Sequence, residues 1–243
     1  MQGVERLCLK EGYALNRLRA KFSRGETVKY ISHLDTLRTF ERTIRRAGIP
    51  IAHSQGFNPR PQMSFGLPLS VGVTSDSEFV DLEMDEKIRP QEFIDRMNNS
   101  MPEGFRIIEA DYIDSKGSLM SSISGASYKV WVEAEVEISK EELQKRIKAF
   151  LEKEFITVEK ESKGHIKLVD IRPDIFAFEV VAHNPNEVCF FMTLSAGSNS
   201  NLKPELVIKA FKIENKFELC VSKIHRTALY GKECTELIKG EAL

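Results

Sequence analysis

Fourteen residues, His53-Ser-Gln-Gly-Phe-Asn-Pro-Arg-Pro-Gln-Met-Ser-Phe-Gly66, concentrate the side chains that could do chemistry. Ser54, Gln55 and Asn58 offer donors and acceptors, Phe57 and Phe65 offer rings, and Arg60 offers a fixed cation. Gly56, Pro59 and Pro61 bend the backbone that carries them. Rings that stack on bases, beside side chains that bond base edges, are what single-stranded RNA sites use. A hairpin loop accounts equally for the glycines and prolines, though not for the polar crowding. Twenty residues upstream lies His33. Two imidazoles titrating near neutrality could serve as general base and general acid on a ribose 2′-hydroxyl, with Lys29 or Arg60 stabilising the oxyanion. His33, Asp35 and His53 could alternatively bind a metal, although H-x-D is a common chance pattern. A lone histidine at a helix start is more often structural, with Asp35 closing the helix cap.

The basic residues are unevenly distributed. The chain has 35 Lys+Arg against 36 Asp+Glu, a net charge of −1. Residues 1–66 nevertheless hold twelve basic side chains and five acidic ones. Such asymmetry points to a polyanion-facing surface in the first part. Arg17, Arg19 and Lys21 alternate with Leu18, Ala20 and Phe22, so a strand here places three cations on one face. Arg38, Arg42, Arg45 and Arg46 fall opposite a helical stripe of Leu34, Leu37, Phe40, Ile44 and Ala47. Guanidinium forks match phosphate bidentately, so these arginines, with Lys21 and Lys29, are the expected RNA contacts. In the competing arrangement the basic strand packs on the acidic residues Glu133, Glu135 and Glu137, which flank Trp131 in the second half.

The elements that must position these groups repeat. In the first half a strand near 16–22 leads to a helix over 32–47, capped by Ser32 and ended by Gly48 and Pro50. Extended segments around 50–73 and 78–84, a helix from Pro90 to about Ser100 and a strand over 105–113 follow. After a Ser/Gly-rich linker at 114–127, the second half has a strand over 128–138 and a helix from the Ser139–Glu142 capping box to about Lys153. It closes with extended segments over 165–182 and 187–194, a helix from Pro204 and a strand over 217–224. Each half reads β-α-β-β-α-β. The expected fold is α+β: tandem ferredoxin-like units at 14–113, basic, and 128–230, acidic, with antiparallel sheets.

Composition narrows the class. With 42% hydrophobic and 29% charged residues, the 243-residue chain is globular, long enough for one large domain or two smaller ones. Its longest apolar run, Val188–Met192, is far too short for a membrane span, and the charged first twenty residues do not form a signal peptide. Cys8, Cys189, Cys220 and Cys234 show no metal-binding spacing, so reduced thiols in a cytoplasmic protein without metal or cofactor are expected.

Tyr30-Ile-Ser-His-Leu-Asp35, Arg45-Arg-Ala-Gly48 and Ser54-Gln-Gly-Phe-Asn-Pro59, with Phe65-Gly and Glu78–Leu82, closely resemble the uncharacterised radical SAM-linked family. Its domain is fused to a cobalamin-binding radical SAM protein or stands alone, encoded near one. Stand-alone members tend to lie beside ribonuclease E/G and ribosomal-protein genes. The resemblance implies a separate radical SAM partner chain and an RNA context. The sequence has no C-x-x-x-C-x-x-C for an iron–sulfur cluster, so radical chemistry would belong to the partner. A more distant resemblance is to CRISPR repeat-processing endoribonucleases, some of which place a histidine near the first helix; their C-terminal glycine-rich loop is not evident. The expected function is a non-catalytic RNA-binding or substrate-presenting accessory protein, inactive on its own, for rRNA or tRNA modification. The alternatives are a metal-independent endoribonuclease using His33 and His53, and a small-molecule or peptide-binding domain holding a carboxylate through Arg60.

Overall fold

Alternation along β1 (Arg17–Arg24) buries Leu18, Ala20 and Phe22 together, as period-2 patterning requires. The computed structural model describes residues 16–114, 117–134, 139–162, 165–184, 187–232 and 237–238; Glu135 and Glu137 lie outside them. Helix α1 (His33–Ala47) begins at Ser32, whose hydroxyl accepts from the Asp35 amide at 3.1 Å and donates to the Asp35 carboxylate at 2.7 Å. It ends at Gly48 in the left-handed region, φ 60°.

The buried face of α1 is Thr36, Phe40, Thr43 and Ile44, rotated from the expected stripe, and Leu34 is 63% exposed. Two interactions account for the rotation. The Thr36 hydroxyl donates to the Ser32 carbonyl at 3.1 Å, satisfying its polar atom at the buried position. Phe40 inserts among Phe22, Phe65 and Phe105, with ring centroids 4.8, 5.0 and 6.1 Å away.

Strands β2 (Met63–Phe65) and β3 (Thr74–Glu83), helix α2 (Pro90–Ser100) and β4 (Phe105–Tyr112) complete the first half. Of the 114–127 segment, α3 (Leu119–Ser122) and the start of β5 (Gly125–Ala134) are structured, and Leu119 and Ile123 are buried. Then come α4 (Lys140–Leu151), β6 (Thr157–Ser162), β7 (His165–Asp170), β8 (Ile175–Asn184), β9 (Glu187–Ser195), α5 (Pro204–Asn215) and β10 (Leu219–Tyr230). The β6–β7 hairpin forms a separate two-stranded sheet that the sequence reading does not anticipate.

All other strands join one mostly antiparallel, eight-stranded sheet, ordered β4-β1-β3-β10-β5-β9-β8, with β2 also on β3. Two separate four-stranded sheets were expected. They are fused instead where β3 and β10 run parallel, pairing Thr74 with His225 and Ser75 with Arg226. Leu67, Leu69, Val73 and Phe79 of the first half accordingly belong to the second half's core.

Charged and polar side chains cross this seam. Buried Arg226 donates to the buried Glu78 carboxylate at 2.9 and 3.1 Å and to the Leu67 carbonyl at 3.3 Å. Burial pushes the Glu78 carboxyl above its ordinary pKa, and the Arg226 charge opposes that shift. His225 contacts Thr74 Oγ1 at 2.8 Å and Asp76 Oδ2 at 2.9 Å. At the surface Lys223 pairs with Glu26 at 2.6 Å. Hydrogen bonds from Lys223 and Lys29 lower the Glu26 pKa from 4.5 to about 2.

Glu78→Ala should destabilise the protein by about 3–5 kcal/mol in urea titrations, because it strands a buried guanidinium. Glu78→Leu combined with Arg226→Met should cost clearly less than that single change. The depressed Glu26 pKa means that its contribution is complete above pH 4.5 and fades as pH falls toward 2. Glu26 is exposed, so this contribution is small. Melting curves across that range should show a shallower acid loss in Glu26→Gln.

Candidate nucleic-acid interface

Two of the three first-strand cations, Arg17 and Arg19, are directed into the protein's own ion pairs. Antiparallel register sets Arg17 opposite Glu83 and Arg19 opposite Asp81. Arg17 Nε donates to Glu83 at 2.7 Å and Nη1 to the Gly117 carbonyl at 3.0 Å. Arg19 is buried, grips both Asp81 oxygens at 2.6 and 2.9 Å, and donates to the Leu237 carbonyl at 2.7 Å. On the other side β4 sets Asp111 opposite Arg19 and Glu109 opposite Lys21. The expected basic sheet face is therefore a charge-alternating one. Its acids come from strands of the same half, not from the second half's Glu133, and a linear reading of β1 contains none of them. Trp131, in the second half, has Lys223 Nζ 5.3 Å from its ring centroid.

Helix α1 keeps its cations outward. Arg42 and Arg45 are exposed and have no hydrogen-bond or ion-pair partner among the described residues. Arg38 makes an exposed 3.3 Å contact with Asp35. Arg46 differs: its Nη2 donates to the Ser100 carbonyl at 2.7 Å and tethers α1 to the end of α2. The i, i+4, i+8, i+11 spacing of Leu34, Arg38, Arg42 and Arg45 makes one exposed stripe along the helix. Just before the helix Tyr30 is 73% exposed, with the Lys29 ammonium 5.1 Å from its ring centroid. Lys29 also pairs with Glu26 at 2.8 Å. The sequence reading overlooks Tyr30; a ring placed two residues ahead of an N-cap and beside a lysine is the signal that could have found it.

The loop after α1 is closed at its base and open at its tip. Ile51 bridges to Met84 and His53 to Pro61. The Ser54 amide donates to the Arg60 carbonyl at 2.9 Å, and the Arg60 amide to the Ser54 hydroxyl at 3.0 Å. Gln55, Gly56, Phe57, Asn58 and Arg60 project into solvent, and Phe57 is fully exposed. Gly56 has φ 136°, a conformation that other residues rarely adopt.

The two histidines occupy different environments. His33 stands edge-on to Phe65, centroids 5.7 Å apart, in the wall of a cavity of about 20 Å³ shared with Arg24, Thr36 and Glu78. Burial, then the Arg24 charge, lowers its pKa below the ordinary imidazole value. His53 is exposed at the base of the loop and does not line that cavity. Asp35 is engaged by Ser32 and Arg38. No group of three or more His, Cys, Asp or Glu side chains able to hold a metal ion forms among the described residues. Among those residues, no helix is long and apolar enough to cross a membrane.

Residues 17–204 match the family model described as an uncharacterized protein conserved in bacteria, DUF2344. The chain belongs to this family. No curated protein matches the sequence. Among solved structures, this DUF2344 chain is similar in fold to a chain of a Cbf5-Nop10-Gar1 complex, with a TM-score of 0.53, 10% identity and coverage of 89% of this chain and 49% of that one. It also matches a chain of an archaeal box H/ACA sRNP Nop10-Cbf5 complex, with a TM-score of 0.47, 10% identity and coverage of 88% and 47%. This chain thus spans about half the length of the chains it matches. At such identity the likeness is one of fold alone.

Arg42→Glu with Arg45→Glu should leave stability within about 0.5 kcal/mol of the parent, as expected for exposed positions. Arg46→Ala should lower it by roughly 1 kcal/mol through loss of the Ser100 contact. Thermal and urea unfolding would separate the two classes.

Proposed function

We propose that this protein binds RNA without cleaving it and presents it to a radical SAM enzyme, on a separate chain, that modifies rRNA or tRNA. One observation carries the reading. Helix α1 carries an outward stripe of Arg38, Arg42 and Arg45, and two residues ahead of its cap stands an exposed tyrosine ring beside a lysine. Guanidiniums in a row suit successive phosphates, and an exposed ring suits a stacked base. In this reading Arg42 and Arg45 make the main backbone contacts, Lys29, Arg38 and Lys21 assist, and the Gln55–Arg60 tip with Phe57 grips an unpaired segment. Arg17, Arg19 and Arg46 act by holding the scaffold.

Each half is inferred to be a ferredoxin-like unit, at 14–113 and 128–230. Its four main strands lie in the order fourth, first, third, second, as β4-β1-β3-β2 and as β10-β5-β9-β8. The likeness to a chain of the Cbf5-Nop10-Gar1 complex is one of fold, and no function transfers with it. The radical SAM partner rests on the resemblance carried by Tyr30–Asp35 and Ser54–Pro59.

Binding of labelled single-stranded RNA should weaken steeply with salt. Glu at Arg38, Arg42 and Arg45 together should reduce the slope of log K against log salt by about 2, at about 0.7 per single-strand phosphate contact. An unchanged slope would remove α1 from the interface. In EDTA the purified chain should leave RNA intact; specific cleavage that disappears in His33→Ala would establish the ribonuclease alternative instead. Co-expression with a genomically adjacent radical SAM protein should yield a complex by size exclusion.

A further inference from the structure

The sheet face turned away from α1 and α2 holds a second feature. Register sets Ser64 of β2 beside Asp81 of β3, Asp81 beside Arg19, and Glu83 beside Arg17. Leu18, Val80 and Leu82 pack with Phe40 and Phe93 on the helix side, so strand alternation turns the charged set to the other side. There, with the segment that opens α3, these strands enclose a cavity of about 250 Å³ whose walls include Arg17, Gln62, Ser64, Asp81, Glu83 and Leu119.

The two ion pairs set the chemistry of this cavity. Asp81 is buried and accepts twice from Arg19, and Glu83 accepts from Arg17. A carboxylate offers about four lone-pair sites, so acceptor capacity is left on both acids. The paired guanidiniums cancel their charge, which removes any strong preference for a cation. What the wall offers is an excess of acceptors to a neutral ligand: two carboxylates, the Gln62 amide oxygen and the Ser64 hydroxyl. Leu119, itself buried in the core, closes one wall of the cavity. The volume is below the ~300–1,000 Å³ of pockets for drug-sized ligands and suits a single ring system. Among nucleobases guanine has the edge richest in donors, N1–H beside N2–H₂, and an unstacked base in a single strand exposes that edge.

We propose that this cavity receives one guanine base, from single-stranded RNA or from a free guanine nucleotide. The RNA source rests on the function proposed above; the free-nucleotide source does not. Two probes separate them in the full chain. The first is anisotropy with a labelled oligouridine carrying one central guanosine, or inosine, which lacks the 2-amino donor. The second is calorimetry with guanosine and inosine 5′-monophosphates. Guanosine should bind about tenfold more tightly than inosine in the preferred source. Ser64→Phe, which fills the cavity from an exposed strand position, should abolish that preference while leaving the salt-dependent RNA affinity intact. Gln62→Ala should reduce the preference several-fold and carries the test if Ser64→Phe lowers the melting temperature. RNA binding with no guanine preference, together with no binding of guanosine monophosphate, overturns the cavity assignment and leaves the RNA reading standing. Guanosine monophosphate binding that is lost in Ser64→Phe, without RNA binding, keeps the cavity and removes the RNA reading. Binding of neither probe removes both.

Discussion

The Glu78–Arg226 pair is the interaction on which the architecture turns, because it lies where the two halves become one sheet. Parallel pairing between β3 and β10 involves only two residues on each strand, too short a ladder to hold a junction by backbone bonds alone. The buried pair supplements it with a contact from one half to the other in which Arg226 Nη1 donates to both Glu78 oxygens. The Tyr128 ring lies 5.6 Å from the Arg226 guanidinium, and Leu67 contributes a carbonyl. Two desolvated charges tolerate burial only when paired, and this pair holds even though Arg226 Nε has no hydrogen-bond partner among the described residues, so it acts as a lock on register as well as a contact. His225 and Lys223 extend the same junction toward solvent.

That junction also explains the mixed core. Once β3 is fixed against β10, the chain between β2 and β3 lies over the second half, and Leu67, Leu69 and Val73 can be buried only there. Leu119 and Ile123 join the same cluster, so a segment whose serines and glycines suggest a passive linker packs through the hydrophobic residues between them. Fusion joins the two halves in one sheet. The surfaces proposed above as functional are the outer side of α1, the loop after it, and the cavity beside β2.

The different fates of the arginines follow from geometry. On β1 every side chain on one face has cross-strand neighbours about 5 Å away on both sides, so a cation there meets whatever β3 and β4 supply, here Asp81, Glu83, Glu109 and Asp111. On α1 the outer face has no neighbouring element among the described residues, and Arg42 and Arg45 there are exposed. Arg46 is the exception because its position reaches the carbonyl end of α2.

Several features were legible in the sequence because their causes are local. The Ser32 and Ser139 caps, Gly48 as helix stop, proline in the first turns of α2 and α5, and the alternation of β1 and β5 each depend on residues within a few positions of one another. The same holds for the exposure of Arg42 and Arg45 and for the polar loop between His53 and Pro61. What the tertiary structure decided depends on partners scores of residues apart. Arg19 finds Asp81, Arg226 finds Glu78, and β3 finds β10 through contacts spanning 62, 148 and about 150 positions. The α1 stripe was misplaced by part of a turn because Thr36 satisfies its hydroxyl at the Ser32 carbonyl and can enter the core, while Phe40 turns toward an aromatic cluster drawn from three strands. Periodicity records which residues are apolar. Only the assembled neighbours determine which polar residues are satisfied well enough to be buried with them.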